Sequence, residues 1–148
     1  MTPERPLLRV SIDSNVFVSS LISGKGPTYR VIQAIYRGDV ALILSREQHA
    51  EILDVIQRPG LQHRLSASDV QTLRNTLAIV DLYDAATSPP VTVRDPKDEN
   101  IVATAIAGQA DFIITGDDDL LVLADEPAIA PLRIVTPRAF VDLFDPDE

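Results

Sequence analysis

Two apolar runs in this chain end in acids. Residues 7–12, LLRVSI, are followed by Asp13, and residues 112–116, FIITG, by Asp117, Asp118 and Asp119. In an open α/β sheet the carboxyl ends of the strands face one crevice, so acids placed there converge, whereas acids elsewhere solvate the surface. Convergent carboxylates are hard oxygen ligands that suit Mg2+ or Mn2+ and suit zinc poorly. Two such ions roughly 4 Å apart activate a water and stabilise the leaving oxygen of a phosphodiester during in-line displacement.

Helix faces select the acids that join them. At 100° per residue, Asp98 falls between Ile101, Val102 and Ala105, on the inward side of a helix over 95–107. An acid in a position suited to an apolar residue needs a partner. Asp98 reads either as the third-position acid of a capping box, with Asp95 as N-cap and Pro96 as first helical residue, or as a ligand. The two roles are compatible, because both put a carboxylate at an exposed helix start. Glu51 lies about 40° from Val55, on the border of its helix's buried stripe, where glutamates are ordinarily solvated. Asp13 also suits the N-cap of the helix after it, as do Ser14 and Asn15. At most two of Asp117, Asp118 and Asp119 can enter the crevice, and spacing favours 117 with 119; the remaining acid is a helix-start residue favoured by the dipole.

The elements that must position these acids alternate. A strand over 8–13 leads to a short helix at 16–22, stopped by Ser23-Gly24-Lys25-Gly26, and Pro27 opens the next helix, which runs up to Gly38. A strand at 40–44 follows, and Ser45 caps a helix to about Gln57 that Arg58-Pro59-Gly60 ends. Ser66 or Ser68 starts another helix, with Val70, Leu73, Leu77 and Val80 as its stripe. After the break Ser88-Pro89-Pro90 comes a β-prone stretch, Val91-Thr92-Val93, then the 95–107 helix and a strand at 112–115. One or two helical turns over 118–123, a strand at 133–135 and a helix at 137–144 complete the pattern. This alternation implies a mostly parallel sheet covered on both faces, an α/β/α arrangement. The 148 residues fit one domain over 1–148, with residues 1–6 and 145–148 expected to fray.

Composition narrows the classes. There is no cysteine, which excludes disulfides and thiolate metal sites, and no apolar run approaches the ~18 residues of a spanning helix. The first residues lack the apolar stretch of a secretory signal, so a cytoplasmic protein, with no membrane partner, is the expectation. Seven aromatic residues and no tryptophan argue against a base-stacking nucleic-acid binder. The net charge of −9 argues against passive polyanion binding, but it is uneven: residues 1–74 carry a net +2 and residues 75–148 a net −11. If a phosphate chain binds, Lys25, Arg30, Arg37, Arg46, Arg58 and Arg64 are the expected contacts, with metal offsetting the acidic centre.

Three other chemistries fit poorly. His49 lies in the buried arc of its helix, as a hydrogen-bonded core histidine would, and His63 sits in a polar loop, so nucleophilic acyl chemistry has no support. A phosphatase of the haloacid dehalogenase type needs a second acid two residues after the nucleophile, where this chain has Asn15. A receiver domain needs a lysine near a late strand end, where the chain reads Val135-Thr136-Pro137. An acidic binding module that uses its carboxylates only as caps remains the non-enzymatic alternative.

Five blocks in order, residues 12–21 (IDSNVFVSSL), 50–59 (AEILDVIQRP), 95–105 (DPKDENIVATA), 110–121 (ADFIITGDDDLL) and 134–140 (IVTPRAF), resemble PIN domains. More narrowly, they resemble the toxins of prokaryotic toxin-antitoxin pairs. The resemblance runs over residues 8–144. It implies a five-stranded parallel sheet of order 3-2-1-4-5 and a Mg2+- or Mn2+-dependent endoribonuclease site at its carboxyl edge. Matched by motif, Asp13, Glu51, Asp98 and Asp117 are the metal-binding catalytic acids. Asp119 matches an additional acid, and Asn15 and Thr115 match polar residues that line such sites. The resemblance further implies a homodimer and a small antitoxin partner that blocks the site. Lys25, Arg30 and Arg46 are the expected contacts to RNA.

Overall fold

A computed structural model of the chain describes residues 7–84 and 89–144; the termini expected to fray and the break at Ser88 lie outside them. The elements run β1 (Leu8–Ile12), α1 (Ser14–Ser23), α2 (Gly26–Tyr36), β2 (Val40–Ser45), α3 (Arg46–Ile56), α4 (Pro59–Gln62), α5 (Ala67–Ala78), β3 (Asp81–Tyr83), α6 (Pro96–Ala107), β4 (Phe112–Ile114), α7 (Asp118–Leu121), β5 (Arg133–Val135) and α8 (Pro137–Phe144), with a 3-10 turn at Pro127–Ile129. Among the described residues the strands form one parallel sheet in the order β3-β2-β1-β4-β5. No helix there is long and apolar enough to cross a membrane.

Strand alternation builds the three layers. Val10 and Ile12 of β1, Leu42 and Leu44 of β2 and Ile114 of β4 point into one core with α1, α2, α3, α5 and α8. Their neighbours Ile43, Ile113 and Ile134 point the other way, into a core with Ile101, Val102 and Ala105 of α6 and Leu120 of α7. Strands buried on both faces read as continuous apolar runs, as 40–44 and 112–114 do.

Local signals set the helix boundaries. Gly24 ends α1 in the left-handed region, at φ 63°, with its N–H on the Ser20 carbonyl. Ser45 and Gln48 form a capping box at the start of α3, as Ser66 and Asp69 do for α5. Gly108, after α6, is needed for close approach: a Cβ there would stand 2.8 Å from Ile43 Cγ2 and 3.1 Å from the Tyr83 ring.

One strand lies elsewhere than expected. Val91-Thr92-Val93 carries no strand, and Val91 and Val93 pack as irregular chain against the α6 side of the core. The edge strand is Asp81–Tyr83, paired to Ile43–Ser45. Arg9 holds it, reaching Asp81 Oδ2 at 3.1 Å, the Tyr83 hydroxyl at 2.9 Å and the Gly108 carbonyl at 3.0 Å. Side-chain anchoring across the sheet, rather than β propensity, selects this three-residue strand.

Candidate metal centre

The β1–β4 pairing brings the two acid-bearing strand ends together. Ile12 lies opposite Ile114, and the Asp13 N–H extends the ladder to the Ile114 carbonyl at 3.1 Å. Asp13 therefore stands beside Thr115, although 102 residues separate them. The Thr115 hydroxyl, fully buried, donates to Asp13 Oδ2 at 3.2 Å and accepts from the Asp117 N–H at 3.0 Å. Asp117 Oδ1 accepts in turn from the Asp119 N–H at 2.9 Å.

Three of the acids cap helices. Asp13 accepts from the Asn15 N–H at 3.0 Å to start α1, Asp95 from the Lys97 N–H at 2.9 Å to start α6, and Asp117 from Asp119 to start α7. Asp98 does not complete the capping box its spacing suggested. The Asp95 carboxylate caps α6 from the N-cap position, while Asp98, only 5% exposed, holds Oδ2 buried with no hydrogen-bond partner. A buried, unpaired carboxylate is costly in its charged form. Burial first, then the charges of Asp117, Asp95, Asp13 and Asp119, push the Asp98 carboxyl from its ordinary 3.8 up to about 6.

Asp98, Asp117 and Asp119 each offer one carboxylate oxygen, and the three oxygens lie within 4.8 Å of one another. That all-oxygen set, one of whose carboxylates carries a buried oxygen with no hydrogen-bond partner, fits a hard divalent cation. Asp118 is exposed and outside the group.

Asp98 and Asp117 open onto a cleft of about 390 Å³, lined with them by Asp13 and Asp95 on the β1, α6 and β4 side and by Glu47, Gln48 and Glu51 of α3 opposite; Asp119 is not in that lining. Gln48 fixes that wall, since its amide nitrogen donates to the Ile12 carbonyl at 3.0 Å. Glu51 is exposed and lines the cleft, but lies outside the three-carboxylate group. Asn15 also lines the cleft.

The expected basic contacts lie elsewhere. Lys25 is exposed ahead of α2, Arg46 pairs with Asp84 at 3.1 Å, and Arg30 lines a groove with Phe140 and Phe144 of α8. None of the three lines the cleft. Lys97 does, and Arg94 places its guanidinium 3.9 Å from Asp119 Oδ1. The only signal for these two in the sequence is adjacency, one before Asp95 and the other before Asp98. His49 is half-buried, with Nε2 3.2 Å from the Leu77 carbonyl, a structural contact.

A family model described as a PIN domain matches residues 9–119 of the chain. The chain is 28% identical over 156 residues to the uncharacterized protein MJ1680 of Methanocaldococcus jannaschii, with 96% of this chain and 95% of that protein covered. Among solved structures it is similar to VapBC2 from Rickettsia felis bound to a DNA fragment from their promoter, with a TM-score of 0.57 and 13% identity. That match covers 87% of this chain and 98% of the other, and at such identity the likeness is one of fold.

Proposed function

This chain belongs to the PIN-domain family, whose members are generally nucleases, and on that premise we propose that it is a metal-dependent endoribonuclease, the toxin of a toxin-antitoxin pair. The observation that carries the reading is the buried, unpartnered Oδ2 of Asp98 in a carboxylate grouped with Asp117 and Asp119. Asp13, Asp95 and Asp117 are each accounted for as helix caps, which is what an acidic binding module would need of them. Asp98 caps nothing. Its burial has no structural return without a cation, and this favours the nuclease over the binding module.

Asp98, Asp117 and Asp119 would hold Mg2+ or Mn2+, with Asp13 and Glu51 completing the acid set around the cleft. Bound there, the ion supplies Lewis-acid stabilisation of the phosphate and lowers the pKa of a water. The chain's own residues do the rest. Thr115 fixes Asp13 and the Asp117 backbone in register, Gln48 holds α3 against the end of β1, and Glu51, which lines the cleft from α3, or Asp119 would orient the attacking water. An RNA substrate, a homodimer and a small antitoxin belong to the same proposal, and the fold likeness to a VapBC2 complex supports the last of these.

The direct test combines melting with cleavage. Mg2+ or Mn2+ should raise the melting temperature and support cleavage of single-stranded RNA, and EDTA should abolish both. If neither ion does either, the nuclease reading loses its mechanism and partner binding becomes the better account.

A further inference from the structure

Building on the nuclease reading, we propose that Lys97 and Arg94 bind the backbone phosphates flanking the scissile bond, so that a single strand crosses the N-terminal end of α6. A polyanion approaching a cleft lined by six carboxylates is repelled unless local cations receive it. Two divalent ions would offset four of those charges and still leave an excess of acid. Among the described residues Lys97 is the one cation in the lining, and its exposed ammonium makes no ion pair there.

Arg94 stands on the same rim. Its side chain is 86% exposed, and its 3.9 Å contact with Asp119 is at the outer limit of an ion pair, so it contributes little and leaves the guanidinium available to a phosphate. Both residues sit at the start of α6, a twelve-residue helix whose positive end adds to their field. The cleft, at about 390 Å³, has the size of a small-ligand pocket, and Lys97 stands in its lining. Lys97 and Arg94 are also two of only four basic residues in the second half of the chain, so the net −11 there conceals a local exception at the site.

The full chain, Mn2+ and a short single-stranded RNA provide the test. Lys97→Gln should raise KM about tenfold and Arg94→Gln about threefold, with kcat moving less than twofold and melting unaltered. Each should flatten the plot of log kcat/KM against log salt by about 0.7, the single-strand value for one lost phosphate contact. Arg74→Gln removes an equal charge from exposed α5 and should leave the slope as it is. Lys97→Arg should restore most of the loss. Fluorescence anisotropy in the Asp98→Asn background reads binding without cleavage, and Lys97→Gln should weaken it to the same degree.

Unaltered KM, slope and affinity in both variants would overturn the proposal, and cleavage by the parent chain would leave the nuclease reading standing. A fall in kcat at constant KM would overturn it too, by moving Lys97 into the chemical step. If the parent chain cleaves no RNA but Lys97→Gln still weakens binding, the phosphate contact stands and the nuclease reading fails. If the RNA does not bind, both fall.

Discussion

The Thr115 hydroxyl donates to Asp13 Oδ2 at 3.2 Å, joining the end of β4 to the end of β1, and the same oxygen accepts from the Asp117 N–H. One buried hydroxyl thus sets the spacing of two of the acids. Thr115→Val keeps the shape and removes both bonds, leaving the Asp117 N–H without its acceptor. The expected cost is about 1–2 kcal/mol, a fall of several degrees in Tm. Mn2+ affinity measured by calorimetry should fall with it, and unchanged affinity would show that Thr115 does not position the ligands.

Asp98 carries a sign that calorimetry can read. A carboxyl whose folded pKa is raised keeps its proton in the folded state at pH values where the unfolded chain has lost it. It therefore costs stability above about pH 6, and the cost disappears as pH falls toward 3.8. The shift corresponds to about 3 kcal/mol at neutral pH. In EDTA, Asp98→Asn should melt about 10 °C above the parent chain at pH 7.5 and level with it near pH 4. An equal gap at both pH values would contradict the raised pKa.

Metal binding should expel that proton. Near pH 6 roughly half a proton should leave per Mn2+ bound, seen as a dependence of binding heat on buffer ionisation, and Asp98→Asn should abolish the dependence. Cleavage by the parent chain should decline below pH 6 for the same reason. A release of the same size in the variant would place the titrating group elsewhere.

The acids after β4 should separate by function. Asp117→Asn is expected to abolish cleavage, because Asp117 belongs to the carboxylate group, whereas Asp118→Asn, at an exposed position outside it, should turn over near normally. Equal losses in a single-turnover assay would mean that Asp118 had been misjudged as surface.

Gly108→Ala tests the packing of α6 on the sheet. The new methyl would meet Ile43 Cγ2 at 2.8 Å, and Ile43 is fully buried, so either α6 or the strand must shift. Overpacking of this kind costs about 1–3 kcal/mol. Chemical denaturation with an unchanged midpoint would show that the interface yields freely.

Much of this arrangement was legible in the sequence because it follows periodicity. The 3.6-residue repeat placed Asp98 inward with Ile101, Val102 and Ala105, and the structure buries it; the same repeat put Glu51 on a border, and it is exposed. Ser45 announced its cap. What stayed hidden depends on contacts between distant segments. Asp81–Tyr83 is a strand because β2 lies beside it and Arg9 reaches it, and neither fact has a local signature. The capping box at Asp98 was a sound local reading, but the Asp95 carboxylate caps α6 and leaves Asp98 with a buried, unpartnered oxygen. Lys97 and Arg94 were masked by the acidity around them, since average charge over half a chain says nothing about one helix end.

The β1–β4 pairing fixes when in its own synthesis the chain can acquire this site. Asp13 leaves a ribosome well before Thr115, Asp117 and Asp119, which follow more than a hundred residues later. At common elongation rates the interval is on the order of ten seconds. A nascent chain therefore lacks the assembled carboxylate group until its fourth strand has docked beside the first.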